Sequence, residues 1–214
     1  MALPAITLLQ SANGRVLIHF SIIHMQADLG EAGRTVQQIT IRKLGLAGWQ
    51  QNLRKIDRLW NMIEQDVAGL KVEWKKVRLY QDGLPVCGHE LQIVNDLAAE
   101  GSRNYALLQR LAGKGATIMG TESPDLLVKE YQLSRELLSS GDPKELAKLE
   151  SHQQALRDSL LEQRDRFIAE RINHTLQRGE MGLLFLGMLH SVRDFLEPDI
   201  RVHCPVYRIG SAAQ

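Results

Sequence analysis

Three ionisable side chains close predicted buried strands in this sequence: His24, Glu122 and His190. Imidazole and carboxylate groups exchange protons in aqueous solution, and both also ligate divalent metals. In open α/β sheets, ligands bind in the crevice beyond the carboxyl ends of the strands. If the strands are parallel, the three side chains converge there although they lie far apart in the sequence. We therefore predict one shared site built on these residues.

Two kinds of hydrolytic chemistry fit such a site. In the first, His24, Glu122 and His190 hold a divalent metal such as Zn, Mn or Fe, which activates a bound water and polarises a carbonyl or phosphoryl group. In the second, no metal is present, a histidine is the general base and Glu122 orients it. Both predict a hydrolase for a small-molecule or peptide substrate.

Two other interpretations stay open. The crevice can belong to a non-catalytic small-ligand-binding or regulatory domain, or the three residues can form a purely structural polar network. A histidine that closes a buried strand is often a hydrogen-bonded core residue. Glu122 can simply cap the helix predicted from Pro124, because carboxylates favour helix N-termini.

Three aspartates and an arginine extend the predicted site. Asp82 follows another strand and Asp28 lies just beyond the first one, although turn and capping roles explain both. Arg164 and Asp165 lie on or beside the apolar face of a long helix, where an unpaired charge is costly. Arg164 is either half of a buried ion pair or a group that orients an acid or binds an anion. We assign Arg164 to catalysis, as a stabiliser of transition-state charge. The substrate-binding candidates are Asp28, Asp82 and Asp165.

Strands and helices alternate along the chain, which positions these residues. Predicted strands cover residues 15–24, 72–80, 115–122, 182–190 and 200–209. Predicted helices cover residues 48–66, 87–99, 103–112, 124–138, 143–178 and 192–196. This alternation predicts a single α/β domain over residues 1–214, with a mostly parallel central sheet and helices on both faces. Pro205 places the last strand at an edge of the sheet.

The long helix is an unusual element. A continuous helix from Pro143 to Arg178 would be about 54 Å long at about 1.5 Å per residue. A compact domain of this size has a radius of gyration of only about 17 Å. The helix must therefore break, or its first half must project. The preceding helix can fold back on that half, giving a helical hairpin over residues 124–160, which is a candidate lid or homodimer surface.

Composition excludes several partners. The net charge is +1, from 26 basic and 25 acidic residues, so no strong field for nucleic acid or an anionic membrane is expected. No apolar run reaches the roughly 18 residues that span a bilayer, and the N-terminus lacks signal-peptide features. Cys87 and Cys204 are not spaced as a metal or redox pair, which favours free thiols in a reducing cytoplasm. No nucleotide-binding glycine motif and no G-x-S-x-G nucleophile elbow is present.

Short motifs around the candidate residues carry a family resemblance. Gly187-Met188-Leu189-His190 has the form G-x-x-H, and Ser21-Ile22-Ile23-His24 repeats it with serine in place of glycine. Gly120-Thr121-Glu122 follows a middle strand, and Arg164-Asp165 lies on the helix before the second motif. In this order the motifs resemble the TraB/TIKI family and, more distantly, the ChaN-like and erythromycin-esterase-like proteins. The resemblance implies a metal-assisted hydrolase or a ligand-binding relative, because that group contains peptide- and ester-cleaving enzymes and haem binders.

Overall fold

A computed structural model of the chain describes residues 14–25, 28, 32–139 and 143–208. Its strands are β1 (Arg15–Ile22), β2 (Val77–Gln81), β3 (Thr117–Met119), β4 (Met181–Gly187) and β5 (Ile200–His203). Its helices are α1 (Ala32–Ala68), α2 (Glu90–Ala99), α3 (Arg103–Gly113), α4 (Pro124–Ser139) and α5 (Pro143–Thr175). Short 3-10 helices cover Trp74–Lys76 and Arg193–Phe195. Strands and helices alternate, so the predicted α/β class is confirmed.

The five strands form one parallel sheet in the order β3-β2-β4-β1-β5. The longest pairing joins β1 and β4, in register from Val16 with Met181 to Ile22 with Gly187. Strand β4 also pairs with β2 on its other side. The three central strands β2, β4 and β1 therefore have their carboxyl ends side by side, at the same end of the sheet. Strand β5 is an edge strand of the sheet, which is the position predicted for it from Pro205.

Helices cover both faces of the sheet, as predicted. Alternate residues of a strand point to opposite faces, and in β1 Phe20 packs in the core on the α1–α3 side while Leu17 packs in the core with α5. The first core contains Trp60 of α1 and Leu108 of α3, and the second contains Ile172 of α5. The two cores hold the sheet rigid, which fixes the positions of the strand ends.

The strands end earlier than the sequence pattern predicts. Strands β1, β3 and β4 end at Ile22, Met119 and Gly187, so His24, Glu122 and His190 lie in the loops two or three residues further on. Backbone hydrogen bonds from these loops explain the early ends. The His190 N–H donates to the Gly187 carbonyl at 3.1 Å, and the Glu122 N–H donates to the Leu84 carbonyl at 3.0 Å.

Three other predicted boundaries also differ. Helix α1 begins at Ala32 rather than near residue 48, and Gly45 interrupts it with a non-helical backbone (φ +71°). Strand β2 begins at Val77 rather than at residue 72, because the 3-10 turn occupies Trp74–Lys76. Strand β5 ends at His203, and the predicted end of that strand at residue 209 lies outside the described residues.

Helix α5 continues without a break over its 33 residues. Helix α4 lies antiparallel beside its first half. Gln153 of α5 donates to Glu136 of α4 at 2.7 Å, while Arg164 further along α5 pairs with the earlier Glu130. The predicted hairpin is therefore formed, and its role as a lid or dimer surface stays a prediction. Among the helices of the described residues, none has the length and apolarity needed to cross a membrane.

Candidate functional site

Asp82 lies at the centre of the crevice. It follows β2 directly, and its N–H donates to the Phe185 carbonyl of β4 at 2.9 Å, which fixes its backbone at the sheet edge. Its Oδ2 atom accepts the N–H of Gly187, the last residue of β4, at 2.9 Å. The carboxylate is therefore held by two neighbouring strands. Its predicted turn role holds as well, since Gly83 follows it with a positive φ of 76°.

Both site histidines point at this one carboxylate oxygen. The Nε2 atom of His24 lies 3.0 Å from Asp82 Oδ2, and the Nε2 atom of His190 lies 3.6 Å from the same oxygen. The opposite nitrogen of each ring faces another aspartate. His190 Nδ1 lies 2.6 Å from Asp165 Oδ1, and His24 Nδ1 lies 4.0 Å from Asp28 Oδ2. A carboxylate behind an imidazole fixes the orientation and tautomer of the ring.

The two outer aspartates also fix the loops that carry the histidines. Asp28 accepts the Met25 N–H at 2.7 Å and the hydroxyl of Ser102. Asp165 accepts the Ser191 N–H at 2.8 Å. Asp28 and Asp165 were candidates for substrate binding, and the structure places both behind a histidine. Their described contacts orient the site.

Arg164 crosses the crevice from α5 and pairs with the remaining acids. Its Nε and Nη2 atoms donate to the two oxygens of Glu122, at 3.0 and 2.5 Å. Nη2 also donates to Asp82 Oδ1 at 3.0 Å, and Nη1 lies 2.6 Å from Glu130 Oε2. A guanidinium has five N–H donors, and four of them are used in these contacts. Arg164 therefore orients acids through a buried ion pair and has little capacity left for an anion.

Solvent reaches this cluster mainly through His24. The His24 side chain is 31% exposed, whereas the side chains of His190 and Asp82 are 5% and 6% exposed. Glu122 is fully buried. A molecule entering the crevice thus meets the His24 ring first.

The ion pairs shift the pKa values of the histidines and of Asp82. Burial alone would lower the pKa of His24, but the hydrogen bond and charge of Asp82 outweigh burial and raise it above the ordinary value. Burial alone would also lower the pKa of His190, but its contacts with Asp165 and Asp82 outweigh burial, so the pKa of His190 is raised. For Asp82, burial favours the neutral acid, but His24, His190 and Arg164 hold the pKa of this carboxyl well below its usual range.

Glu122 behaves differently from Asp82. Complete burial raises the pKa of Glu122 above its ordinary value, although the Arg164 guanidinium partly offsets this. Burial alone would lower the pKa of Arg164, but its carboxylate partners, chiefly Glu122, outweigh burial. The pKa of Arg164 is therefore raised above its ordinary value. Two neighbouring carboxyls therefore have pKa values shifted in opposite directions, which is a feature of catalytic sites.

The donor set fits a divalent metal. Asp82, Glu122 and His190 offer ligand atoms that all lie within 4.8 Å of one another, the one such group among the residues that the structure describes. The predicted trio of His24, Glu122 and His190 shares two members with this group, and His24 contacts it through Asp82. Mixed imidazole and carboxylate ligands suit Zn, Mn or Fe. The carboxylates of Asp28, Asp82, Glu122 and Asp165 also outnumber the single permanent cation, Arg164, which favours an added positive charge.

A cavity of about 260 Å³ lies next to the crevice, between α4 and α5. Arg164 lines it on one side and contacts the site acids on the other. Leucine side chains form much of its wall, namely Leu133, Leu160, Leu161 and Leu189. Leu189 directly precedes His190, so the cavity lies beside the site.

Sequence reasoning missed three residues of this neighbourhood. Tyr105 of α3 is 5% exposed, and its hydroxyl would lie 4.0 Å from a Cβ added at Gly83. Glu130 pairs with Arg164 from α4. His19 of β1 has its Nε2 buried without a hydrogen bond, and burial and the charge of His190 lower its pKa. Ser102, whose serine type suits a helix cap, was the available signal for Tyr105, because it caps α3 and accepts the Tyr105 N–H.

Comparisons with known proteins add no relative. No protein-family model matches the chain, and no curated protein or solved structure matches it significantly. The resemblance to TraB/TIKI, ChaN-like and erythromycin-esterase-like proteins is therefore untested and stays a prediction. The function has to be argued from the geometry of the site.

Proposed function

We propose that this protein is a hydrolase in which a divalent metal assists the attack of water on a small-molecule or peptide substrate. The observation that carries the proposal is the convergence of two imidazoles on one buried carboxylate. His24 and His190 approach Asp82 Oδ2 at 3.0 and 3.6 Å. A carboxylate behind each ring is the arrangement that metal-binding histidines usually have.

The residues that would hold the metal are Asp82, Glu122, His190 and His24. When bound, a divalent metal lowers the pKa of a coordinated water and polarises the substrate carbonyl or phosphoryl group. Arg164 keeps the Glu122 and Asp82 carboxylates oriented, since it donates to both. Removal of Arg164 would leave two buried acids without their shared partner.

His24 is the residue that best fits proton transfer. Its ring is reached by solvent, and its pKa is raised above the ordinary value for histidine, which is close to neutral pH. General bases work best when their pKa lies near the working pH. Where no metal is bound, His24 would take a proton from the attacking water and return it to the leaving group, while Asp82 holds the ring. With the metal bound, the same ring would be one of its ligands.

Ligand binding without catalysis is the second candidate. It is favoured by the burial of the cluster, because His24 alone among the histidines and acids of the crevice centre is substantially exposed. A binding domain can hold a small metabolite against His24 and in the cavity between α4 and α5. It would bind its ligand without turnover.

Metal content tests the first proposal. Purified protein, supplied with zinc, manganese and iron, is analysed beside His24→Ala, His190→Ala and the control His174→Ala. His174 is exposed on α5, and its ring bonds the Glu170 carbonyl of the same helix. We expect about one equivalent of metal in the wild type and in the control, and much less in the two site variants. Absence of metal from the supplied wild type would reject the metal-assisted mechanism.

Turnover separates a hydrolase from a binding domain. p-Nitrophenyl acetate, bis-p-nitrophenyl phosphate and a mixed peptide library provide ester, phosphate and amide bonds. We expect turnover of at least one class, and loss of about 10²–10⁴-fold in kcat for His24→Ala. A wild type that binds metal but cleaves none of the three would support the binding role.

A further inference from the structure

Negative charge that develops on a substrate creates a problem in this crevice. Attack of water on a carbonyl puts that charge on its oxygen, and the transition state is stabilised by hydrogen-bond donors aimed at it. The crevice, however, contains the carboxylates of Asp28, Asp82, Glu122 and Asp165. The metal of the proposed function would carry part of that charge, and a donor that is free to face the substrate oxygen would stabilise it further.

Most donors around the crevice are already used. Arg164 uses four N–H groups on Glu122, Asp82 and Glu130. The Gly187 N–H donates to Asp82, and the Gly83 N–H donates to Glu122 at 3.3 Å. The Ser102 hydroxyl donates to Asp28. None of these groups can turn to a substrate without leaving a buried carboxylate unpaired.

The Tyr105 hydroxyl is different. Among the residues that the structure describes, no hydrogen bond to this hydroxyl is found, and the residue as a whole is 5% exposed. Its oxygen would lie 4.0 Å from a Cβ added at Gly83, the residue next to Asp82. Because Gly83 has no side chain, the space beside the hydroxyl stays open. An unbonded hydroxyl in a polar crevice is a donor available to a ligand.

The start of α3 holds Tyr105 in this position. Ser102 caps the helix by accepting the Tyr105 N–H at 3.3 Å, and the same hydroxyl donates to Asp28. Asp28 in turn accepts the Met25 N–H beside His24. The first turn of α3 is thus tied to the loop that carries the first histidine, so Tyr105 and His24 keep a constant relative position.

We propose that the Tyr105 hydroxyl donates a hydrogen bond to the substrate oxygen on which negative charge develops. This inference depends on the proposed hydrolase function and assigns to Tyr105 the part that the sequence suggested for Arg164. A phenol has an ordinary pKa of about 10, so it keeps its proton at neutral pH. Burial and the nearby charges of Asp28, Asp82 and Glu122 raise the pKa of Tyr105 further. The hydroxyl is therefore a neutral donor, which suits a crevice rich in negative charge.

Tyr105→Phe in the zinc-loaded protein tests the inference. The hydroxyl has no partner to lose, so the variant is expected to fold and to keep its zinc. The matched control is Tyr80→Phe, which removes a buried hydroxyl that bonds Thr175 at 2.9 Å on the α5 side. We expect kcat on the cleaved substrate to fall about 100-fold for Tyr105→Phe, as for loss of one oxyanion donor, with KM changed less than about threefold. Tyr80→Phe should retain the wild-type kcat.

Two further measurements decide the role of the hydroxyl. Tyr105→p-aminophenylalanine retains a donor at the same place and should recover at least about tenfold of the lost kcat. Methylphosphonate, a tetrahedral oxyanion, should bind zinc-loaded Tyr105→Phe about tenfold more weakly than the wild type by calorimetry.

The outcomes separate the two proposals. Wild-type kcat and wild-type methylphosphonate affinity in Tyr105→Phe would overturn the role of Tyr105 and leave the hydrolase standing. A wild type that cleaves no substrate would reject the hydrolase, and the methylphosphonate affinities would still show whether the hydroxyl engages an oxyanion. An equal loss of kcat in Tyr80→Phe would also overturn the inference, because it would indicate a general effect of losing a buried hydroxyl.

Discussion

Two buried arginines pair with carboxylates at opposite ends of the sheet. At the amino end, Arg15 opens β1 and forms ion pairs with Glu197 and Asp199. It also donates to the Asn173 carbonyl at 2.7 Å, in the last turn of α5, and to the Leu176 carbonyl at 3.4 Å, just after that helix. Its two carboxylate partners are 54% and 42% exposed. This cluster ties the end of a helix to the edge of the sheet.

At the carboxyl end, Arg164 pairs with acids that water hardly reaches. Glu122 is fully buried and the Asp82 side chain is 6% exposed. His24 and His190 add imidazole groups whose pKa values are raised by the neighbouring acids, and the described contacts of Arg15 include no such group. Ion pairs thus stabilise the fold at the amino end of the sheet. At the carboxyl end, they hold buried acids and histidines whose pKa values are shifted from their ordinary values. That difference is the reason to place function at the carboxyl end.

Removing each arginine in turn should give the largest difference in unfolding free energy between the two ends of the sheet. Arg164→Leu leaves Glu122 and Asp82 buried without their cation, and breaking a buried pair in this way costs about 3–5 kcal/mol of unfolding free energy. Arg15→Leu should cost about 1 kcal/mol, because its carboxylates turn to water and mainly carbonyl hydrogen bonds are lost. Urea denaturation of both variants measures the two values. Equal losses would mean that the two clusters play the same structural role.

Two glycines of β4 provide a smaller but more selective contrast. A Cβ added at Gly187 would lie 2.8 Å from Asp82 Oδ2 and 3.6 Å from His24 Nε2. A Cβ added at Gly182, near the amino end, would lie 2.6 Å from a methyl group of Leu17. Both alanine variants should lose about 1–3 kcal/mol through overpacking. Only Gly187→Ala should also lose metal and turnover, and retention of full metal content by this variant would argue against a metal at Asp82.

The pH dependence of stability should come from the carboxyl end. His24 and His190 have folded-state pKa values above their ordinary value, so their contribution is complete below about pH 6.5 and is lost as pH rises through the raised values. Metal-free protein should therefore become less stable as the pH rises above about 6.5. His190→Ala should flatten this decline and Arg15→Leu should leave its slope unchanged, as measured by urea denaturation at each pH. An unchanged slope in His190→Ala would assign the decline to other groups.

Salt should give the smallest difference between the two ends of the sheet. Here Arg15→Leu, and not Arg164→Leu, should show the larger response. Raising ionic strength from about 0.1 to about 1 M shortens the Debye length from about 10 to about 3 Å and screens exposed charges. The stability gap between wild type and Arg15→Leu should then shrink by a few tenths of a kcal/mol, about the size of surface ion pairs. The gap for Arg164→Leu should change less, because Glu122 and Asp82 are buried and Glu130 is the one carboxylate partner with substantial exposure among the described contacts. A salt-sensitive Arg164→Leu gap would indicate a wetter crevice.

Much of this architecture could be predicted from the sequence. The alternation of apolar strands and amphipathic helices predicted the parallel sheet, and with it the convergence of strand ends. The burial of Arg164 and Asp165 followed from their place on the apolar face of α5. The edge position of β5 followed from Pro205, because proline cannot donate a ladder hydrogen bond.

The arrangement inside the crevice needed the structure. No local pattern shows that β4 lies between β2 and β1, and that order makes Asp82 the central acid. Asp82 was a site candidate because it follows a predicted strand, but its Asp-Gly turn gave no sign that both histidines converge on it. Tyr105 was equally hidden, since the face that a helix turns to the crevice depends on how the helix packs.

The strand order also determines when the site can form. Strands β1 and β2 come early in the chain, yet they are not neighbours, because β4 separates them. Strand β1 pairs with β4 and β5, both from the last part of the sequence. Contacts between such distant segments form slowly, because a long loop must close first. On the ribosome, His24 therefore meets Asp82 and His190 only after β4 has been made, and a chain that stops before β4 lacks this cluster.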